Sequence, residues 1–409
     1  MNLRIPQGWQ AVPLGELAIE GPTNGYSPQS DPNGQGSLSL KLSATTQQRL
    51  ILNEETIKRL REEIAPDASV WLRPGDLLVQ RSNTAELVGT AAIFDGPPNT
   101  YIYPDLMMRL RFGDEATTRW VWRYMNSAAG RRFFRVMAAG AAGSMPKISG
   151  AKLRTMLIPV PPLPEQRRIA DILDKADAIR RKRKEAITLT EDLLRSAFLE
   201  MFGDPLTNPK GWQVEPLAKL GRITTGNTPS RAVDEYFGDN IEWIKSDNIN
   251  TPSHYLTRAT EGLSAQGRTV GRTAPARSTL MTCIAGSPDC IGNVALADRE
   301  VAFNQQINAV TPHDGVDHRF LYVLLLVGKH LVQAASTNSM KGMVSKGKLA
   351  EVRVPVPPLR AQRRFGETFD RVLRIGQRQE SAFHDAELLF AATVQRAFSG
   401  QLMRAGDPC

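Results

Sequence analysis

Cysteine is scarce in this sequence of 409 residues, which holds only Cys283, Cys290 and Cys409. An odd and sparse set does not make a disulfide framework, so a reducing compartment fits. No Cys-x-x-Cys pair occurs, and the five histidines do not stand at ligand spacing from the cysteines. The sequence therefore argues against a structural zinc site.

Long hydrophobic runs are also missing. The longest strongly apolar run covers residues 320–327, well short of the roughly 20 residues that a membrane-spanning helix needs. Residues 1–6 lack the apolar stretch of a signal peptide. We therefore expect a soluble, cytoplasmic protein.

Motifs of DNA chemistry are absent as well. An N6-adenine methyltransferase needs an Asn/Asp/Ser-Pro-Pro-aromatic loop for the flipped base, and none of the Pro-Pro pairs has these neighbours. No Asp-x-Lys or Glu-x-Lys step of a metal-dependent nuclease occurs. Residues 342–349 resemble a phosphate-binding loop, but Leu349 stands where Ser or Thr would bind magnesium. We therefore predict no catalytic, nucleotide or metal site in this chain.

The most informative feature that is present is an internal repeat. Residues 8–14, GWQAVPL, return as residues 211–217, GWQVEPL. Residues 159–168, PVPPLPEQRR, return as residues 355–364, PVPPLRAQRR. Shorter matches keep the same order between them: 87–91 with 290–294, and 148–153 with 344–349. The chain therefore holds two similar domains, each followed by a similar connector.

Each repeat has a mixed part and a helical part. Turn residues punctuate short hydrophobic runs in the mixed part, which predicts short strands, long loops and one helix near the end, at 118–137 and 318–335. After Pro164 the apolar residues follow steps of three and four, from Ile169 through Ile179 to Met201. This spacing predicts a helix of about 35 to 40 residues, roughly 55 Å long.

The second copy has a weaker seam, with Gly376 and Gln379 at core-like positions. We expect the two long helices to pack on each other as an antiparallel coiled coil; a lone helix with a partner protein is the alternative. The predicted fold class is α+β, with two mixed α/β domains in tandem and pseudo-two-fold symmetry. The predicted segments are a first domain at 1–158, a first helix at 159–204, a second domain at 205–354, a second helix at 355–402 and a tail at 403–409.

This organisation resembles the specificity subunits of type I restriction–modification systems. The resemblance is carried by the two proline-to-helix junctions, the Gly-Trp openings, and residues 80–83, 87–89 and 303–307. It implies two target-recognition domains that each read one part of a bipartite, asymmetric DNA sequence, in a subunit that is not itself an enzyme. It also implies that the helices dock two methyltransferase (modification) subunits and that restriction/translocase subunits join. S-adenosylmethionine, ATP and magnesium are then expected on those partners, and no cofactor on this chain.

The second junction departs from the pattern, because Arg360-Ala361 stands where the first copy has Pro164-Glu165. Unequal contacts with a partner at the two junctions are therefore open. The candidates for docking the partners are Pro162, Leu163, Glu165, Gln166, Arg167, Arg168, Gln362, Arg363 and Arg364.

Sequence reading by a protein needs polar or basic side chains at base edges, and further basic residues on phosphates. The net charge of +9 suits such a polyanion. The candidates for base edges are Gln80, Arg81, Ser82 and Asn83 in the first repeat, and Lys245, Ser246 and Asn248 in a similar strand-to-loop context in the second. The candidates for phosphates are Lys147, Lys341, Lys346 and Lys348.

Other basic and aromatic residues have simpler explanations. The basic run at 180–184 goes round its helix and is expected to be a solvated face. Trp9 and Trp212 are expected to be core anchors. Two other functions remain open: a self-contained DNA-modifying enzyme with a cryptic active site, and a coiled-coil adaptor that does not bind DNA.

Overall fold

A computed structural model describes residues 5–31, 33–138, 145–336 and 342–402 of the chain. The chain forms two compact units, Met1–Arg183 with Ala382–Cys409, and Lys184–Ser381. The division falls inside both long helices, because each helix contributes one half to each unit. The two compact units therefore do not coincide with the five segments predicted along the sequence. The boundaries of those segments stay a prediction.

The first unit is built around an antiparallel four-stranded sheet in the order β2-β8-β5-β6 and a three-stranded sheet in the order β4-β3-β7. A separate strand pair, β1-β9, joins the beginning of the unit to its end. The elements are β1 (Gln10–Pro13), α1 (Leu14–Leu17), β2 (Ala18–Asn24), β3 (Leu38–Leu40), β4 (Ile57–Arg59), β5 (Leu77–Gln80), β6 (Ala91–Ile93), β7 (Tyr101–Ile102), β8 (Met107–Phe112), α2 (Glu115–Asn126), α3 (Ala128–Met137), α4 (Gly150–Arg154), β9 (Leu157–Val160) and the first half of α5 (Leu163–Phe202).

The second unit repeats this plan with sheets in the orders β11-β19-β15-β17 and β13-β12-β18-β14, and with the strand pair β10-β21. A further short pair, β16-β20, is also present. The elements are β10 (Gln213–Pro216), β11 (Gly221–Thr225), β12 (Phe237–Ile244), β13 (Gly262–Leu263), α6 (Ala265–Val270), β14 (Thr273–Ala274), β15 (Thr279–Thr282), β16 (Ile284–Ala285), β17 (Val294–Leu296), β18 (Val301–Phe303), β19 (Ile307–Pro312), α7 (His318–Val327), α8 (Lys329–Ala334), β20 (Gly342–Met343), α9 (Lys346–Glu351), β21 (Arg353–Val356) and the first half of α10 (Leu359–Phe398).

The two most similar stretches of the repeat are partner strands. In the first unit Gln10, just after the Gly-Trp opening, pairs with Val160 at the proline junction. In the second unit Gln213 pairs with Val356 in the same way. The opening and the junction therefore recur together because their strands pair with each other in each unit, just before the long helix begins.

Aromatic side chains fill the core of each unit beside the long helices. In the first unit Trp120 is fully buried, with its ring centroid 5.4 Å from Trp9 and 4.7 Å from Phe398 of α10. In the second unit Trp212 packs against the core and its indole N–H donates to the carbonyl oxygen of Phe202. Trp9 and Trp212 are thus core anchors, as the sequence predicted.

The prediction of two long helices is confirmed, since α5 and α10 each have 40 residues. Both are followed by a glycine with positive φ, +80° at Gly203 and +72° at Gly400. This left-handed conformation ends a helix at little cost only for glycine.

The helix halves are antiparallel within each unit. In the first unit the start of α5 meets the segment after α10, where Arg168 donates to the carbonyl oxygen of Leu402. In the second unit the end of α5 meets the start of α10, where the ring centroids of Phe198 and Phe365 are 5.4 Å apart. The predicted antiparallel packing is therefore confirmed.

Three local predictions were wrong. Ile179, assigned to the seam, is 51% exposed, because Leu173 and Asp177 occupy the buried positions beside it. The helix predicted at 118–137 is two helices, because the side chain of Ser127 accepts a hydrogen bond from Gly130 and starts α3. The helix predicted at 318–335 is likewise broken, between α7 and α8.

Arginine–aspartate pairs fix each mixed part to its long helix. In the first unit Arg119 and Arg123 of α2 hold Asp174 of α5 at 2.5 and 2.6 Å. In the second unit Arg319 of α7 holds Asp370 of α10 at 2.5 Å. The two aspartates occupy the same place in the repeat. In both units, therefore, an arginine of the helix that follows the mixed sheets binds the matching aspartate of the long helix, although the arginines themselves stand at different positions of the repeat.

Candidate nucleic-acid interface

Each unit forms a sharp corner at the end of one edge strand, β2 in the first unit and its counterpart β11 in the second. In the first unit Gly25 follows β2, and its N–H donates to the carbonyl oxygen of Met107 at 3.2 Å. A Cβ on Gly25 would lie 2.0 Å from the carbonyl oxygen of Tyr103. In the second unit Gly226 follows β11, and a Cβ there would lie 2.1 Å from the carbonyl oxygen of Asn304. The backbone of both corners therefore requires glycine.

A hydroxyl group holds one exposed side chain at each corner. Ser27 Oγ donates to Asp105 Oδ1 at 2.5 Å in the first unit. Thr228 Oγ1 donates to Gln305 Oε1 in the second. Asp105 and Gln305 both lie in the turn that enters the neighbouring strand, β8 or β19, and both are exposed. We define the first corner as Gly25–Ser27 with Asp105 and the second corner as Gly226–Thr228 with Gln305.

The two corners share a backbone but differ in chemistry. Asp105 is a carboxylate and can only accept hydrogen bonds, whereas the carboxamide of Gln305 can also donate. Next to them, Tyr26 donates to Glu62 Oε1 at 3.1 Å. Asn227, in contrast, donates to the carbonyl oxygen of Val270. One scaffold therefore presents two different sets of polar groups.

A lysine follows an inner strand of the second sheet in each unit, β3 in the first unit and β12 in the second. Lys41 follows β3 and Lys245 follows β12, and both strands pair in parallel with the strand that leads into the corner turn. Lys41 is exposed. Lys245 forms an ion pair with Glu261, and the Lys245 and Arg231 hydrogen bonds hold the pKa of that carboxyl below its usual range. The first corner thus offers a freer cation than the second.

A comparison with known families decides the classification. The sequence profile described as "Type I restriction modification DNA specificity domain" matches residues 6–189 and 209–381. The chain belongs to this specificity family. The resemblance of the sequence to type I specificity subunits, and the predicted fold class of two mixed domains each with a long helix, are thereby confirmed.

Curated relatives of this family member are specificity subunits. The HindI subunit of Haemophilus influenzae is 32% identical over 141 residues, which is 34% of this chain and 28% of that protein. The putative MjaX subunit of Methanocaldococcus jannaschii is 20% identical over 411 residues, 94% of this chain and 92% of that one. The EcoR124I/EcoR124II subunit of Escherichia coli is 26% identical over 240 residues, 55% and 57% of the two chains. The chain thus matches less than a third of the HindI subunit but nearly all of the MjaX subunit.

Solved structures show the same fold. A chain from work on complex assembly and conformational transition of the type I R-M system has a TM-score of 0.58 and 21% identity, covering 97% of this chain and 99% of that one. The S subunit from M. genitalium has a TM-score of 0.56 and 12% identity, covering 97% of both chains. The fold of this specificity-family chain thus extends over both units.

Two of the predicted base-reading residues are structural. Gln80 has no exposed surface, and its carboxamide donates to the carbonyl oxygen of Leu42 and to Thr45 Oγ1, both at 3.0 Å. Ser82 is 1% exposed. These two predictions were wrong, because Gln80 at the end of β5 and Ser82 two residues later are both buried in the core. Arg81 and Asn83 are half-buried and stay candidates. The side chain of Asn83 donates to Gln80 Oε1 at 2.7 Å.

The second predicted group is also partly structural. The carboxamide of Asn248 is buried, accepting from the backbone N–H of Lys245 and donating to the carbonyl oxygen of Arg258, both at 3.0 Å. Asn248 is therefore a turn residue, which corrects its prediction as a base reader. Lys245 and Ser246 are half-buried at the surface and remain candidates.

The two predicted groups do not occupy equivalent places. The counterpart of Gln80 is Thr282, because the backbone N–H of each bonds to the residue after a matching Gly, at Thr90 and Asn293. The counterpart of Lys245 is Lys41. Similar context along the sequence therefore did not identify similar position in the fold.

The lysines predicted to contact phosphates have different surroundings. Lys147 is exposed and its backbone forms a bridge with Ser82. Lys346 and Lys348 are exposed in the first turn of α9. Lys341 lies outside the described residues. The exposed three stay candidates.

The docking candidates divide into buried and exposed residues. Gln166 and Gln362 are 4% and 1% exposed, and each donates to the carbonyl oxygen five residues earlier, of Pro161 or Pro357. These two glutamines brace the junctions internally, which corrects their prediction as partner contacts. The others reach the surface: Pro162, Leu163, Arg167, Arg363 and Arg364 are exposed, and Glu165 and Arg168 are half-buried.

No group of three or more His, Cys, Asp or Glu side chains is arranged to hold a metal ion in the described part of the chain. No helix within it combines the length and apolar character needed to cross a membrane.

Sequence reasoning missed Lys41, Asp105 and Gln305 as surface groups of the corners. Gln305 lies in the segment FNQQI that supports the family resemblance, so a signal for it existed. The matching segment of the first unit, residues 103–107, reads YPDLM and shares no residue with it. The position of Asp105 therefore became visible only in the fold.

Proposed function

We propose that this chain is the DNA-specificity subunit of a type I restriction–modification complex, with each unit reading one part of a bipartite target. The observation that carries the proposal is the repeated corner. A glycine-closed backbone is built twice, and its exposed side chains differ between the copies. A shared scaffold with different polar groups is what two readers of different DNA sequences require.

The chemistry of the corners supports contact with base edges. A carboxylate such as that of Asp105 is repelled by phosphates, but it can accept from the amino group of cytosine in the major groove. The carboxamide of Gln305 can pair with adenine through one donor and one acceptor. The two units are therefore expected to prefer different bases, which makes the target asymmetric.

The proposed partners bind the long helices. Aliphatic side chains on these helices are unusually exposed: Ile179, Leu388 and Leu389 in the first unit, and Leu189 and Leu193 in the second. Exposed apolar groups on a helix that already packs along its other face suit a further helical partner. We assign these surfaces to two methyltransferase subunits, with restriction/translocase subunits joining the complex in the cytoplasm. S-adenosylmethionine, ATP and magnesium are then bound by those subunits.

Methylome sequencing tests this function directly. A host that carries the chain with its neighbouring methyltransferase gene is compared with the same host after deletion of this gene alone. We expect a bipartite motif with methylated adenine only when the gene is intact. The same methylation in the deletion strain would refute the proposal and favour the adaptor that does not bind DNA. Binding of S-adenosylmethionine by the purified chain would instead support a cryptic enzyme.

Asp105→Asn is expected to change one half of the methylated motif and leave the other half unchanged. The substitution replaces one acceptor by a donor, and a wrong base contact costs about 1–3 kcal/mol, or roughly five- to 150-fold in preference. The measurement is the methylome of cells that express each variant. Gln305→Glu is the matched variant and is expected to change the opposite half. An unchanged motif with both variants, each folded and active, would remove the corners from the DNA interface.

A further inference from the structure

Three arginines form one face at the start of α10. Arg360, Arg363 and Arg364 stand at helical spacing and, with Leu359 and Glu367, line an open groove of about 550 Å³. All three arginines are exposed. None of them forms an ion pair or a side-chain hydrogen bond with another residue in the described part of the chain. We call these three residues the arginine face.

The corresponding residues of α5 are already engaged. Arg167 forms an ion pair with Asp114 at 2.9 Å, and Arg168 donates to the carbonyl oxygen of Leu402. Pro164 stands at the position of Arg360 and carries no charge. The first junction therefore presents fewer cations, and its own unit satisfies the two that it has.

The acidic group that holds Arg167 at the first junction is already occupied at the second junction. The residue that corresponds to Asp114 is Asp317, which caps α7 as Asp114 caps α2. Arg319 follows closely and binds both carboxylate oxygens of Asp317, at 3.1 and 2.7 Å. Asp317 is also buried. Its carboxylate is thus occupied, and Arg363 forms no ion pair with an acidic side chain among the described residues of its unit.

We propose that the arginine face binds an acidic segment of a methyltransferase subunit, in a contact that the first junction does not make. This inference rests on the proposed function. Guanidinium groups bind carboxylates through paired hydrogen bonds, and arginine is enriched in protein interfaces. Glu367 at one end of the groove repels phosphates, and Leu359 adds apolar surface, so the mixed lining fits a protein better than a DNA backbone.

Binding of the cognate methyltransferase subunit to the full-length chain tests the proposal. The variant Arg360→Gln/Arg363→Gln/Arg364→Gln is compared with Arg371→Gln/Arg374→Gln/Arg378→Gln, which removes three exposed arginines further along the same helix. Each lost surface ion pair weakens binding modestly, so the first variant is expected to bind about tenfold more weakly at low salt. The control variant should bind within about twofold of the wild type. Circular dichroism checks that both are folded.

A chemical crosslink identifies the partner group. Arg363→Lys supplies an amine, which a carbodiimide joins to a carboxylate in contact with it. We expect mass spectrometry to find a crosslink to Asp or Glu of the methyltransferase subunit, and none from Arg371→Lys. Equal affinity of the triple variant and the wild type would overturn the inference and leave the proposed function standing. Reduced affinity for a DNA duplex with unchanged subunit binding would assign the arginine face to phosphates and also overturn it. Failure of the wild-type chain to bind the subunit would refute the proposed function itself.

Discussion

Phe198→Ala is expected to lower the free energy of unfolding by about 3–5 kcal/mol, the usual cost of deleting a fully buried aromatic ring. Phe198 has no exposed surface, and its ring centroid lies 5.1 Å from Phe202, 6.0 Å from Phe320 and 5.4 Å from Phe365. The four rings join the end of α5 to α7 and to the start of α10. Removal of one ring leaves a cavity that the other three, held by separate helices, cannot fill.

Urea denaturation measures the loss, and hydrogen exchange shows where it falls. Amides of the second unit are expected to exchange faster, because the cavity lies in its core. Leu193→Ala is the control on the same helix: this side chain is 50% exposed, and its removal should cost less than about 0.5 kcal/mol. A loss below about 1 kcal/mol for Phe198→Ala would show that the four-ring cluster does not hold the second unit together.

Gly226→Ala is expected to disrupt the second corner and with it one half of the DNA target. The new Cβ would lie 2.1 Å from the carbonyl oxygen of Asn304 and 2.4 Å from that of Phe303. Both neighbours are backbone atoms, so the turn that carries Gln305 must move. Forced packing of this kind costs about 1–3 kcal/mol. The hydrogen bond from the Gly226 N–H to the carbonyl oxygen of Ile307 would be strained as well.

The expected readout is a methylome in which the half-target read by the second unit is degraded or lost. Gly286→Ala is the matched control, because a Cβ there meets nothing within 4 Å and the residue is exposed in a loop of the same unit. An intact motif in Gly226→Ala cells would mean that the second corner does not contribute to sequence reading. A degraded motif in both variants would mean that the loops, not the close approach at the corner, decide the reading.

Much of the fold could be predicted, because its largest elements leave regular patterns. Steps of three and four residues predicted both long helices, and prolines and glycines predicted their ends. The repeat predicted two similar domains before any strand could be placed. The internal breaks were missed: Ser127 starts a new helix by capping it with its side chain. Serine is a common N-cap residue but also occurs inside helices, so residue type alone did not mark the break.

The candidate site was less predictable, because surface and core residues of short strands look alike in sequence. Gln80 and Asn248 have the groups that read bases, yet both use them to satisfy nearby backbone groups. Asp105 has no similar residue at the matching position of the second repeat. Polar residues in loops bond locally as readily as they bond ligands, so residue type alone did not separate the two uses.

The sequence by itself determined the duplication, the two 40-residue helices and the family, since these depend on patterns repeated over many residues. The tertiary structure alone decided which side chains reach the surface at the corners and which arginines of the two junctions have no ion-pair partner in the described part of the chain. The arginine outcome depends on how one carboxylate is used: Asp114 binds Arg167, 53 residues later in the chain, whereas its counterpart Asp317 binds its near neighbour Arg319. A repeat keeps the backbone plan, but the packing of each copy decides which partner every charged side chain binds.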